Sequence, residues 1–249
     1  MVIIAGPGVA SAIRNQFSTV TDAIGSGTVG ENFYDAADLP DPQNGTAFAV
    51  YSEDDHSLMF YKRRGVPAVG GMFNYRTVTE VYTGFETDVY YVSDPDDNFV
   101  TATVNTPWWN RREEVISINV FDEGISPKTI DFWFYRFSKL VSCDLSKLST
   151  NNISSAHGLF CLSQRLSRVK LPGFTSAMKD FASVFAVCSA LTDLHIGESD
   201  WSGASNFFHT FMSVGGLHYD CSNWNVNTST THVGFNLNAP GVIPPSAWK

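Results

Sequence analysis

The apolar positions in the second half of this chain recur about every 25 residues. A phenylalanine closes a short apolar run at Phe134, Phe160, Phe185, Phe211 and Phe235, in steps of 26, 25, 26 and 24. Six residues on, a leucine follows at Leu140, Leu166, Leu191 and Leu217. Self-similarity at a period of this size predicts a solenoid, a stack of small units that hide their apolar faces only against one another. Each leucine opens an L-x-x-L-x-L pattern, filled in turn by Cys143 and Leu145, by Val169 and Leu171, and by Leu194 and Ile196. The fourth copy, with Tyr219 and Cys221, is one residue short. Alternation along a strand points these residues inward and the residues between them outward. Ahead of each strand, Val184-Phe185 and Phe211-Met212 lie in segments of helical spacing. A unit is therefore expected to hold one or two helical turns, a tight bend, one short strand and a Ser/Asn/Thr-rich return.

Upstream the texture changes. Residues 46–51 and 57–62 are apolar runs flanking the polar Glu53-Asp54-Asp55-His56 bend, which reads as a β-hairpin. Short strands continue through 79–82, 88–92 and 99–104, so residues 46–114 are expected to form a small β-rich domain capping the open end of the repeat solenoid at 115–249. Nearer the start, Val9, Ile13, Phe17, Val20 and Ile24 follow steps of four, four, three and four, one face of a helix. Gly25 ends that helix. Its stripe suits a short oligomeric seam, docking onto a larger body, or a helix capping this chain's own core. Residues 28–45, rich in Gly, Pro, Asp and Asn, read as an extended arm. The fold class is thus α+β with a solenoid: a short leucine-rich-repeat-like stack preceded by a small β-rich domain and an N-terminal helix and arm at 1–45.

Composition narrows the function. The chain has 249 residues, 14% aromatic but only 16% charged, with 25 acids against 16 bases and a net charge of −9. The basic groups Lys62-Arg63-Arg64 and Arg111-Arg112 are too short to track phosphates, so nucleic acid is not an expected partner. Four cysteines without paired C-x-x-C spacing give neither a disulfide framework nor a metal site, and Cys143, Cys188 and Cys221 read as small core residues. Residues 2–5 are apolar but stop at Gly6-Pro7-Gly8, so no signal peptide is read, and no run approaches the ~18 apolar residues of a membrane span. Asp94-Pro95-Asp96-Asp97-Asn98 has the ligand chemistry of a calcium loop and equally the composition of a turn. No G-x-S-x-G, phosphate loop or H-E-x-x-H occurs, so no catalytic residue, metal or cofactor is assigned.

The segment from Phe185 to Ile196, with 222–226 and 148–153, resembles the BspA-type leucine-rich-like repeat of bacterial surface proteins. Trp109 followed by 115–122 and 133–137 is similar to the leader that often precedes those repeats. The resemblance covers roughly residues 105 to 235 and implies adhesion or host-surface binding. Repeats two and three depart from the family's Asn-Val-Thr return.

The outward strand positions are the candidate contact surface. They are Ser142 and Asp144, Arg168 and Lys170, Asp193 and His195, and His218 and Asp220. Stacking at about 4.8 Å would set them in two adjoining columns. Such a face is either ordinary soluble sheet surface or a shallow patch for a glycan or protein. Trp108 and Trp109, outside the inward pattern, are a second candidate contact. The expected function is non-enzymatic surface recognition or adhesion, in a phage virion component such as a fibre, spike or decoration that contacts a host or mucosal surface. The N-terminal segment would attach it to the virion or another large assembly, a homo-oligomer is expected, and the location is the virion surface or the extracellular or cell surface. A fragment of a bacterial cell-surface adhesin and a glycan-directed enzyme are the alternatives.

Overall fold

A computed structural model describes residues 39–88, 90–93 and 103–249. The helix expected through Val9, Ile13, Phe17, Val20 and Ile24, and the candidate calcium loop at Asp94–Asn98, lie outside the described residues. The described strands are β1 (Thr46–Ser52), β2 (Ser57–Arg63), β3 (Met72–Phe73), β4 (Arg76–Thr77), β5 (Glu80–Thr83), β6 (Val92–Ser93) and β7 (Thr103–Val104). Six more follow: β8 (Ser117–Val120), β9 (Ser142–Asp144), β10 (Arg168–Leu171), β11 (Asp193–Ile196), β12 (Tyr219–Asp220) and β13 (Val242–Ile243).

Seven of these strands form one mixed sheet in the order β11-β10-β9-β8-β2-β1-β5. The hairpin β1–β2 is antiparallel, with Ser52 opposite Ser57 across the 53–56 bend. It is buried on both faces. Ala47, Ala49, Tyr51, Leu58 and Phe60 enter the main core, whereas Phe48, Val50, Met59 and Tyr61 pack into a second small core closed by Phe73 and Val78. The decisive pairing is long-range. β2 runs parallel to β8, Ser57 opposite Ser117, so the hairpin lies directly against the first rung of the repeat. One sheet and one apolar cluster, reaching from Ala47 to Val242, cross residue 115.

Beyond β8 the chain winds as a β-solenoid. β9, β10 and β11 stack in parallel register, with Ile118, Cys143, Val169 and Leu194 in one inward row. The phenylalanines stack behind them. Phe134–Phe160, Phe160–Phe185 and Phe185–Phe211 have ring centroids 5.7, 5.8 and 5.3 Å apart with interplanar angles of 26° or less. Each ring is buried, a contribution of about 1.5–3 kcal/mol apiece.

The segments with helical spacing are not helices. Among the described residues the helical elements are two 3-10 turns, Trp109–Arg111 and Ser246–Trp248, so the expected α+β, leucine-rich-repeat type of unit is corrected to an all-β coil. Opposite each strand runs a ribbon of consecutive turns. Alternate N–H groups close i to i−3 turns, as in Tyr135 to Phe132, Cys161 to Gly158, Ala186 to Ser183 and Met212 to His209. That local closure spaces apolar residues three apart, which imitates a helical period. The other N–H groups point along the stack. Those of Ile130, Phe132, Phe134 and Arg136 donate to the carbonyls of Ser155, His157, Leu159 and Cys161 in the next coil, and the same four-bond row recurs at the three following junctions. The alternation demands left-handed backbone at two places per coil: Phe132 and Arg136, Gly158 and Leu162, Ser183 and Val187, His209 and Ser213, Gly234 and Asn238. Eight of these ten are not glycine, and each such residue costs about 1–2 kcal/mol that the ladder must offset.

The stack is imperfect at its far end. The row of bonds places Asn236, not Phe235, in the position of Phe211, and Phe235 meets Phe211 edge-on at 83°. The residue missing before Tyr219 has a larger effect: β12 pairs with β13, and among the described residues no strand pairing joins it to β11. No helix of the described residues is long and apolar enough to cross a membrane.

Candidate recognition surface

The register of β8 to β11 fixes the outer face. Ser117, Ser142, Arg168 and Asp193 form one row of side chains, and Asn119, Asp144, Lys170 and His195 form the other. Arg168, Lys170, Asp193 and His195 are exposed, while Ser142 and Asp144 are half-buried. The rows are electrostatically mixed. Lys170 Nζ lies 3.7 Å from Asp144 Oδ2, and Asp144 Oδ1 accepts the Ser146 N–H at 3.1 Å and its hydroxyl at 2.6 Å. With Lys170 63% exposed, this pair contributes at most about 1 kcal/mol, so its cationic head is available to a ligand at little cost.

His218 and Asp220 lie past the break in the ladder, on and beside β12. Both are exposed, but strand pairing does not continue the two rows to them. Hydrogen bonds from Ser222, backbone first, hold the Asp220 carboxyl below its ordinary value.

The tryptophan pair divides. Trp108 is fully buried, ringed by Phe60, Phe85, Trp133 and Phe134, and its indole N–H donates to the Trp133 carbonyl at 2.7 Å. It therefore seals the N-terminal end of the stack and, contrary to the expectation, offers no surface for contact. Trp109 is half-buried between Tyr135, 6.2 Å away and nearly parallel, and the Arg112 guanidinium, 4.4 Å from the ring centre. These two neighbours cover part of the ring, and the remainder of the half-buried side chain is open to contact.

Two polar clusters escaped the sequence reading because their members are far apart along the chain. Arg111 gathers Glu80 at 2.5 Å, Glu114 at 2.8 Å and Glu53 at 3.5 Å. The hydroxyl of Tyr51 donates to Glu114 at 3.0 Å and sits 3.1 Å from His56 Nδ1, and that of Tyr82 donates to Glu80. Burial and the adjoining carboxylates push both phenols up. Burial works against the charge of Glu80 and Glu114, but hydrogen bonds from Arg111 and the tyrosines outweigh it and lower both carboxyls. Charge here is spent on the arginine, and the arrangement clamps the 3-10 turn to the hairpin. The hairpin tip is clamped too: Asp54 accepts the Thr77 N–H and Asp55 pairs with Arg76, each at 2.6 Å.

The second cluster bridges two coils. Asp131 Oδ1 accepts the Ser155 hydroxyl at 2.5 Å and the His157 N–H at 2.7 Å, and His157 Nδ1 lies 3.4 Å from Asp180 Oδ2. Burial raises the Asp131 carboxyl, and Asp180 raises His157. Asp180 itself is lowered, because His157, the Ala182 N–H and Asn206 overcome its burial. Ser155, Asp180, Asn206 and Thr231 form a column of isolated parallel bridges at coil spacing. The first three turn side-chain oxygens onto the N–H two residues ahead, starting each turn ribbon. The signal in the sequence was polar residues recurring at steps of 25, 26 and 25, which the apolar period overshadowed.

All four cysteines are free thiols, and among the described residues no group of three or more His, Cys, Asp or Glu is placed to hold a metal ion. The core void beside Phe181, Trp201 and Trp224 is apolar and only about 10 Å³. No protein-family model, no curated protein and no solved structure matches the chain.

Proposed function

We propose that this chain is a non-enzymatic recognition protein that meets its ligand on the strand face of the solenoid. The observation that carries the reading is the two-row array of Ser142, Arg168 and Asp193 beside Asp144, Lys170 and His195, held in register by parallel pairing. Rows of exposed donors and acceptors at strand spacing suit an extended polar ligand, a glycan or a protein surface, laid across the coils. The polar clusters elsewhere are engaged in hydrogen bonds and ion pairs within the fold, which favours binding over chemistry. His218, Asp220 and the exposed part of Trp109 are secondary contacts in this proposal. The relation to BspA-type surface repeats, a place on a virion and a homo-oligomeric assembly are further parts of the same proposal.

The test is binding to an array of bacterial and mucosal glycans and to whole host cells. Lys170→Glu and Arg168→Glu should each weaken attachment at least tenfold while lowering stability by no more than about 1 kcal/mol. Attachment that survives both changes would remove the strand face from consideration. Mass spectrometry of purified phage particles checks the virion assignment, which fails if the chain is missing from them.

A further inference from the structure

The last coil described ends in a row of main-chain donors that no described residue fills. At each of four successive junctions, four N–H groups of one turn ribbon donate to four carbonyls of the next. The equivalent groups of the final ribbon belong to His232, Gly234, Asn236 and Asn238, and among the described residues none of them has an acceptor. The ribbon's carbonyls at Thr231, Val233, Phe235 and Leu237 are already taken by the preceding coil. The edge therefore offers donors only. The C-terminal tail covers the core beside it, with Trp248 stacked on His232 at 4.4 Å and against Phe235, but returns no backbone carbonyl to the row.

Two further observations bear on what fits there. Val233 and Leu237, which alternate with the donors, are 66% and 50% exposed, and Phe208 is exposed one coil back. Residues 221–249 contain no Asp or Glu in a chain with 25 acids, and Lys249 is their one Lys or Arg. Unpaired backbone edges, exposed apolar side chains and depletion of charge together characterise protein contact surfaces. An inorganic anion would use the donors but gain nothing from Val233 and Leu237.

We infer that this edge docks a polypeptide segment of a partner protein, received as a sixth coil whose main-chain carbonyls accept from His232, Gly234, Asn236 and Asn238 while its apolar side chains cover Val233 and Leu237. A flat β-strand would present N–H groups between its carbonyls, so the segment must take the same alternating backbone as this chain's own ribbons. A second copy of this chain does not supply it head to tail, because the Trp133 carbonyl of its first ribbon already accepts the Trp108 indole N–H. This inference is independent of the strand-face proposal.

The probe is a synthetic peptide of residues 221–243, which carries a ribbon's carbonyl row, titrated to millimolar concentration against the full chain. Amide exchange is read at positions 232, 234, 236 and 238. The free protein should exchange rapidly there and slowly at 207, 209, 211 and 213. The peptide should slow the four edge amides at least tenfold, and the double change Val233→Lys, Leu237→Lys should abolish that protection without altering the exchange of the inner row. Three outcomes overturn the inference: edge amides already protected in the free chain, no protection by the peptide, or equal protection by sulfate alone, which would mark a simple anion site.

Discussion

At the scale of single residues, backbone conformation governs this molecule more than side-chain chemistry does. Gly158 adopts left-handed backbone and a β-carbon there would stand 2.5 Å from Phe132 Cε1. Gly158→Ala should therefore lower stability by about 1–2 kcal/mol in urea unfolding. The opposite change, Ser213→Gly at a φ of 59°, should raise it by about 0.5–1 kcal/mol. None of this was legible beforehand, since Phe132, Leu162 and Val187 are not residues that announce positive φ. Trp108 departs from expectation for a related reason: periodicity says nothing about a residue outside the repeat, and only the fold shows it packed against Trp133. His157 gives a pH signature. Its pKa is raised above the ordinary 6.5, so the Asp180 contact stabilises fully below pH 6.5 and is lost as pH climbs through the folded value. The lowered Asp180 sets the other limit, its contribution fading as pH falls below the ordinary 3.8. The melting-temperature gap between the wild type and His157→Gln should accordingly be larger near about pH 5.5 than near about pH 8.5.

At the scale of elements, the strands were the legible part. Leucine spacing located the inward row of Cys143, Val169 and Leu194, because a one-residue slip would turn that row to solvent. Leu194 packs against the core while its neighbour His195 is exposed. Leu194→Asp should cost more than about 2 kcal/mol and drive aggregation in light-scattering assays, whereas His195→Ala should stay folded. Equal damage from both would contradict the facing described above. The turn ribbons look helical in the sequence because their i to i−3 closures bring apolar residues round at nearly the same interval. The fifth phenylalanine was misplaced for a simpler reason. Phe235 fits the period within a residue, yet the ladder assigns that station to Asn236, whose side-chain amide donates to the Val242 carbonyl at 2.9 Å.

At the scale of the whole molecule, what the sequence concealed is continuity. A parallel pairing between residues 57–60 and 117–120 spans sixty positions with no local mark, so the hairpin region reads as a separate cap although it shares a sheet and core with the coils. The described part of the chain should consequently unfold in one transition, with near-ultraviolet circular dichroism and amide exchange in β1 and β10 reporting the same midpoint. Trp108→Ala should lower that shared midpoint through a loss of about 3–5 kcal/mol, and separate melting of the two halves would refute the shared main core. The aligned peptide groups of the ribbons carry an evolutionary implication. A turn ribbon whose four ladder N–H groups all face the next coil has a front and a back, and here the back carries the Trp108 indole, hydrogen-bonded to the Trp133 carbonyl. Lengthening by duplication is thus simplest in the interior: units added at the front would have to lift Trp248 off His232 and Phe235, and units added ahead of β8 would have to displace both Trp108 and β2.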